Sequence, residues 1–209
     1  MESEYGCNTL YFTKNGKPYS IIAGELHFAR LPKERWKETL LKMRECGVNT
    51  VSTYVFWNYH EEIKGQFDFS GNKDIAGFLK LCKEIDMPCI LRIGPWCHAE
   101  VVYGDFPKRI NKMKKKRTDA PEYLAEVKEY WQGLYKEVAP YLDGKTVIGI
   151  QIENEYTGPI QHLLTLKKLA QEIGYKAPFF TMTAWPLSKP DPVSYTHLRA
   201  HETRGNLVC

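Results

Sequence analysis

Apolar residues along this chain recur at two spacings, one typical of buried strands and one typical of amphipathic helices. The β-branched and aromatic runs that predict strands are 19–24, 50–56, 89–93, 148–155 and 177–183. The segments with apolar residues three and four positions apart, which predict helices, are 33–46, 75–85, 121–142 and 163–173. The two kinds follow each other in a β-α-β-α-β-α-β-α-β order, which predicts an α/β fold with parallel strands.

Two parallel architectures fit this order, an open doubly wound sheet and a (β/α)8 barrel. Neither G-x-G-x-x-G nor G-x-x-x-x-G-K-[ST] follows any predicted strand, so the phosphate-binding loop of a nucleotide-binding sheet is missing. The segments that do follow the strands are polar and aromatic: 25–28, 57–62, 96–100 and 154–156. Barrel enzymes hold their active sites at this end of the strands, and a mixture of rings and carboxylates is typical of a sugar site.

The fourth predicted strand runs directly into two acidic residues. Strand alternation predicts that the isoleucines of 148–152 face the helices, whereas Gln151, Glu153 and Glu155 face the opposite side. A carboxylate on that face is costly unless it is paired or lies at a wet cavity. We therefore interpret Glu155 as functional, and Glu153 as either functional or part of a structural ion pair. Arg92, inside the third strand, is predicted to point inward and pair with an acid.

Composition and charge narrow the class of protein. The 209 residues, 43% of them apolar, suffice for one domain or part of one, and the formal charge of +4 comes largely from the loop Lys112–Arg117, which indicates a solvated segment rather than a nucleic-acid surface. No basic region leads into an apolar run, so we expect a cytoplasmic protein without membrane contact. The six cysteines form no C-x-x-C pair, and the adjacent Cys97 and His98 are a poor ligand pair, so we expect free thiols, no metal and no cofactor.

Four motifs together resemble glycoside hydrolase family 35, whose best-known members are β-galactosidases. The segments that carry the resemblance are 24–32 (GELHFARLP), 49–61 (NTVSTYVFWNYHE), 94–100 (GPW with AE) and 151–156 (QIENEY). The resemblance implies a (β/α)8 barrel, here truncated after about strand five. It also implies roles for single residues. Glu155 would be the general acid/base, and Tyr54, Ala99, Glu100 and Asn154 would contact the terminal galactose.

The family resemblance further implies a retaining, exo-acting enzyme that removes terminal β-galactose from a β-galactoside. Two carboxylates about 5 Å apart share that chemistry. The second, the nucleophile, would lie at the end of barrel strand seven, beyond this chain, so we expect the chain alone to be inactive. Two departures from the family pattern stand near the site: Cys-Ala-Glu-Trp is replaced by His98 to Val101, and Gly-Gly-Phe-Pro by Gly104 to Pro107.

The carboxyl-terminal residues differ in character from the rest. We predict a partial catalytic barrel over 1–192 and a non-native or disordered tail over 193–209, because the tail shows neither strand nor helix periodicity. Two other functions stay open. One is a different retaining barrel glycosidase, a related β-galactosidase or a β-mannanase-like enzyme, and the other is a non-catalytic glycan-binding fragment. The oligomeric state is left open.

Overall fold

The computed structural model describes residues 4–8, 10–182 and 206–208, the last three by their backbone. The strands are β1 Tyr5–Cys7, β2 Phe12–Lys14, β3 Lys17–Pro18, β4 Ala23–Glu25, β5 Thr50–Tyr54, β6 Cys89–Arg92, β7 Val147–Gln151, β8 Phe179–Thr181 and β9 Asn206–Val208. The α-helices are α1 Trp36–Glu45, α2 Trp57–His60, α3 Ile75–Glu84, α4 Lys108–Asn111, α5 Pro121–Val138 and α6 Ile160–Ile173. Short 3₁₀ turns are Phe28–Arg30, Lys33–Arg35, Gly71–Lys73, Val102–Asp105 and Ala139–Tyr141.

The larger sheet has the order β4-β5-β6-β7-β8-β9, and β4 to β8 are parallel. Helices connect successive parallel strands, as expected for β/α units. This arrangement confirms the predicted α/β class and the order of its elements. The first parallel strand lies slightly later than predicted, since β4 covers 23–25 rather than 19–24.

One face of this sheet packs against the helices. Phe28 and Phe78 stack with ring centroids 5.5 Å apart, and Trp36 meets Phe78 edge-on at 5.5 Å. Nearby, Trp57 and Tyr130 stack at 4.6 Å with their planes 7° apart. Each of these rings is buried. Burial of a large apolar side chain stabilises the fold by about 1.5–3 kcal/mol, so these packed rings help to hold the strands in place.

A small antiparallel sheet of β1, β2 and β3 lies against the opposite face, and the apolar pattern did not predict it. Its Tyr5 packs with Ile90 and Ile148, in a cluster separate from the helix-side core that holds Ile150 and Ile152. The prediction that Ile148, Ile150 and Ile152 share one face is therefore wrong. A register shift between β6 and β7 causes the difference, because it turns Ile148 toward the inner face.

The predicted tail lies outside the described residues except for 206–208. The backbone of those three residues pairs antiparallel with β8. The boundary near residue 192 and the non-native origin of the tail stay predictions. Within the described ranges, no helix combines the length and apolar character that crossing a bilayer requires.

Candidate active site

The carboxyl ends of four adjacent parallel strands bring polar side chains together. The residues that end β4, β5, β6 and β7 are Glu25, Tyr54, Arg92 and Gln151. Tyr54 pairs in register with Arg92, and Arg92 with Gln151, so these strand ends lie at one level. Asn154 follows β7 by three residues and joins the same group through hydrogen bonds to Arg92 and Gln151.

Arg92 is the centre of this group. Its guanidinium carbon lies 3.6 Å from the centroid of the Tyr54 ring, and the group donates to the Glu25 carboxylate and to the Tyr54 hydroxyl. Its Nη2 also donates to Asn154 Oδ1 at 3.0 Å. The prediction that Arg92 points inward and pairs with an acid is confirmed. A single arginine thus orients side chains from three neighbouring chain segments.

The side-chain amide of Asn154 has a defined orientation. Its Oδ1 accepts from Gln151 Nε2 at 2.8 Å as well as from Arg92. The same Gln151 nitrogen donates to the backbone carbonyl of Glu153 at 2.8 Å, which accounts for its second proton. Because two donors meet Oδ1, the amide nitrogen of Asn154 must point the other way, toward His98 Nδ1 at 2.8 Å.

Two side-chain N–H groups are directed at the ring nitrogens of His98. The Trp96 indole, which can only donate, reaches His98 Nε2 at 3.1 Å, and Asn154 presents an N–H to Nδ1. A neutral imidazole has only one lone pair in its plane. It can therefore accept from only one of the two donors, and the tautomer decides which. In either tautomer the other ring nitrogen carries a proton.

Glu155 lies beside His98. Its Oε2 is 3.6 Å from His98 Nδ1, and its side chain is 44% exposed. The regular strand ends at Gln151, and both Glu153 and Glu155 adopt left-handed backbone conformations with φ of 55° and 47°. The predicted strand to 155 is therefore wrong beyond Gln151, and simple alternation no longer relates the two carboxylates.

Glu153 is buried, unlike Glu155. Its Oε2 accepts from Arg117 Nη2 at 2.7 Å and from Arg117 Nε at 3.0 Å. Burial raises the pKa of this carboxyl, while the Arg117 charge opposes that rise. Of the two interpretations open for Glu153, the structural ion pair is the one observed.

The loop after β6 brings Ala99 and Glu100 to the same end of the sheet. Ala99 is buried, and its carbonyl accepts from the Arg30 guanidinium. The backbone N–H of His98 donates to the Tyr54 hydroxyl at 3.4 Å, which ties the loop to the strand ends. Glu100 is exposed and has a left-handed φ of 50°. The structure thus joins Ala99 to the Tyr54 group, while Glu100 stands at the solvent side.

Burial keeps two side chains of the site in their neutral forms. It raises the pKa of the Tyr54 hydroxyl well above its usual value, although the Arg92 charge acts in the opposite direction. It lowers the pKa of His27, whose Nδ1 accepts the backbone N–H of Tyr54 at 3.3 Å. Tyr54 therefore retains its proton while its oxygen accepts from Arg92.

Two contributors were not predicted from the sequence. Arg117 was assigned to a solvated basic loop, yet it binds the buried Glu153. Glu25 lay in a segment predicted to follow a strand, but nothing in its local pattern indicated Arg92 as its partner. Over 4–8 and 10–182, no group of three or more His, Cys, Asp or Glu residues is arranged to hold a metal ion.

The chain is similar to proteins of one known family. Residues 11–199 match the family described as "Glycosyl hydrolases family 35". A β-galactosidase from Xanthomonas manihotis is 42% identical over 156 residues, covering 73% of this chain and 26% of that protein. β-Galactosidase-1-like protein 3 from Mus musculus is 41% identical over 150 residues, covering 70% and 23%. The chain spans about a quarter of the length of these relatives.

Solved structures share the fold. An exo-β-1,4-mannosidase from Opitutaceae bacterium strain TAV5 superposes with a TM-score of 0.63 at 15% identity, covering 77% of this chain and 31% of that one. The catalytic domain of a mannanase from Streptomyces sp. SirexAA-E gives 0.57 at 16% identity, covering 88% and 53%. These likenesses agree with part of a (β/α) barrel. The match over 11–199 confirms the resemblance seen in the motifs, and the chain belongs to glycosyl hydrolases family 35.

Proposed function

We propose that the complete protein carrying this segment is a retaining, exo-acting β-galactosidase in which Glu155 is the general acid/base. The observation that carries the proposal is the convergence of the oriented Asn154 amide, the His98 ring and the exposed Glu155 carboxylate, with Glu155 Oε2 3.6 Å from His98 Nδ1. Such polar groups are suited to hydrogen bonds with sugar hydroxyls. The relatives named as β-galactosidases support galactose as that sugar.

The remaining contacts suit recognition of a terminal sugar. Tyr54 offers a protonated hydroxyl, and Asn154 an amide N–H whose direction is set by Arg92 and Gln151. Glu100, at the open side, would accept from sugar hydroxyls. Tyr54 and Asn154 are held in place before substrate arrives, so these two groups need little ordering during binding.

The chemistry would proceed in two steps. Glu155 gives its proton to the glycosidic oxygen while a second carboxylate attacks the anomeric carbon. After the aglycone leaves, the same residue takes a proton from water, which attacks and releases galactose. The family resemblance assigns the attacking carboxylate to barrel strand seven, and the parallel strands described here are five. That group is therefore expected in the remainder of the complete protein.

The test uses Glu155→Gln in the complete protein, with Glu122→Gln as the matched control. Glu122 is exposed on the first turn of α5. For alkyl or sugar aglycones, we expect Glu155→Gln to lower kcat about 10²–10⁴-fold. The first step on a dinitrophenyl β-galactoside should survive, since that leaving group needs little protonation. Azide should accelerate the second step by attacking the galactosyl-enzyme, which releases the sugar as a β-galactosyl azide.

Two measurements separate the alternatives. Wild-type cleavage of aryl β-mannosides in preference to aryl β-galactosides would replace the assigned sugar, in line with the mannan-directed enzymes that share the fold. Binding of galactose without turnover of any glycoside would indicate a glycan-binding protein.

Proton NMR of the first product reports the stereochemistry of the reaction, and an α-configured first product would exclude the retaining mechanism.

A further inference from the structure

Arg117 makes contacts on two sides of the loop that carries the proposed acid/base. Its Nη2 donates to Glu153 Oε2 at 2.7 Å and to the backbone carbonyl of Asn154 at 2.9 Å. Its Nε donates to the same Glu153 oxygen at 3.0 Å. One guanidinium therefore connects a side chain and a backbone carbonyl from consecutive residues, immediately before Glu155.

The surroundings of Arg117 hold it in place. Its guanidinium carbon lies 4.7 Å from the centroid of the Trp96 ring and 5.4 Å from that of Tyr156. Tyr156 also donates its hydroxyl to the Arg117 carbonyl at 3.1 Å. The two neighbouring rings limit the motion of the side chain, which is 21% exposed, and the Tyr156 hydrogen bond holds the backbone of Arg117.

The loop needs such a connection because its backbone is unusual. Glu153 and Glu155 both have positive φ, a conformation that non-glycine residues adopt only when surrounding contacts impose it. Backbone bonds from Glu153 N to Gly94 O at 2.7 Å and from Glu155 N to Met182 O at 2.8 Å hold its two ends. Between them, Arg117 holds the backbone carbonyl of Asn154, while Arg92 and Gln151 hold its side chain.

We propose that Arg117 is a positioning residue that holds Asn154 and Glu155 in their reactive orientation, an inference that rests on the proposed function. The guanidinium is suited to this role because its planar set of donors reaches two acceptors at once. A lysine has a single ammonium centre and would replace only part of the contact. Arg117 itself does not touch the sugar.

The test compares Arg117→Lys, Arg117→Ala and Lys115→Met in the complete protein. Lys115 is exposed in the same basic loop and serves as the control. If Arg117 positions the acid, Arg117→Ala should lose about 100-fold in kcat for a poor leaving group. On a dinitrophenyl β-galactoside it should lose less than about tenfold, and free guanidinium should restore part of the activity. Arg117→Lys should fall between, and Lys115→Met should match wild type.

The remaining outcomes of these experiments also decide whether Arg117 is a positioning residue. Equal losses on both substrates, in proportion to a fall in Tm and without guanidinium rescue, would make Arg117 merely structural. If Arg117→Ala does not fold, the substrate comparison for Arg117→Lys decides. If wild type cleaves no β-galactoside, the proposed function fails, and crystal structures of wild type and Arg117→Lys still test the inference. An unchanged Asn154–Glu155 loop in that variant would overturn it.

Discussion

The site consists of two halves that differ in burial. In the buried half, Tyr54 and Asn154 are 0% and 3% exposed, and Arg92 bonds to both. In the open half, the side chains of His98 and Glu155 are 41% and 44% exposed and lie 3.6 Å apart. The proposed sugar contacts are thus divided between groups fixed by the fold and groups still in contact with water.

The division follows from what each half would do. Hydrogen-bond donors that stay neutral can be buried and oriented in advance, because the fold supplies their partners. A carboxyl group that gains and loses a proton in each cycle needs an environment that tolerates both forms, and water provides it until substrate covers the site. The four variants below test this division, in order of decreasing expected effect.

Arg92→Met should have the largest effect, because it removes the centre of the buried half. It leaves the Tyr54 hydroxyl and Asn154 Oδ1 short of a donor. Hydrogen bonds to a charged group are worth about 1.5–3 kcal/mol each, so we expect a loss of about 3 kcal/mol in stability and at least a 100-fold fall in kcat/KM. Urea unfolding and steady-state kinetics measure the two. Arg35→Met, at an exposed arginine, is the control.

Tyr54→Phe should come next. It keeps the ring under Arg92 but removes the hydroxyl that accepts from Arg92 and from the His98 backbone. We expect kcat/KM to fall by about 10- to 100-fold, which corresponds to about 1–3 kcal/mol of lost transition-state binding. Tyr11→Phe changes an exposed tyrosine in the same way and should be silent. Unchanged kinetics for Tyr54→Phe would remove this residue from the site.

The order of elements was predictable because apolar periodicity is a local property of the chain. The converging strand ends followed from it, since parallel strands present their carboxyl ends at one edge. The strands of the small sheet are only two or three residues long and carry no period, so they were missed. The predicted alternation of side chains through β7 was wrong at Ile148, because the register between β6 and β7 shifts there.

Long-range pairing was the less predictable part of the site. Arg117 and Glu153 are 36 residues apart, and Arg92 and Glu25 are 67 apart. A charge in a basic run gives no sign that its side chain turns into the fold. Alternation put Glu153 and Glu155 on one face, although a structural ion pair was an open interpretation for Glu153. The strand ends at Gln151 and both residues have left-handed backbones, so alternation does not apply and one carboxylate is buried while the other is exposed.

Asp105→Asn tests the loop that carries the open half. Asp105 accepts the Tyr59 backbone N–H at 3.2 Å, and burial raises its pKa from 3.8 to about 6. The folded protein therefore keeps a proton that the unfolded chain releases, so stability falls as pH rises from about 4 to 6. Asparagine does not titrate, so the variant lacks this pH-dependent loss of stability. At pH 7 we expect the variant to be about 1–2 kcal/mol more stable than wild type, and at pH 4 equal to it.

Thermal unfolding of the complete protein between pH 4 and 7 measures this difference. Asp86→Asn, at an exposed aspartate that also has a positive φ, should keep the wild-type pH profile. The same constant difference for Asp105→Asn at every pH would show that the carboxyl does not titrate with folding. The loop would then be fastened by other contacts, such as the Arg30 bond to the Ala99 carbonyl.

Glu100→Gln should have the smallest effect of the four. Glu100 is exposed, so its contact with a sugar hydroxyl competes with water, and glutamine retains one acceptor oxygen. We expect kcat/KM to fall by about three- to tenfold, mainly through KM, because exposed polar contacts contribute little. Glu62→Gln, at another exposed glutamate after β5, is the control. A loss above about 100-fold, alongside a mild Tyr54→Phe, would mean that binding energy resides in the open half. The buried half would then serve the fold, and the proposed division of labour would be reversed.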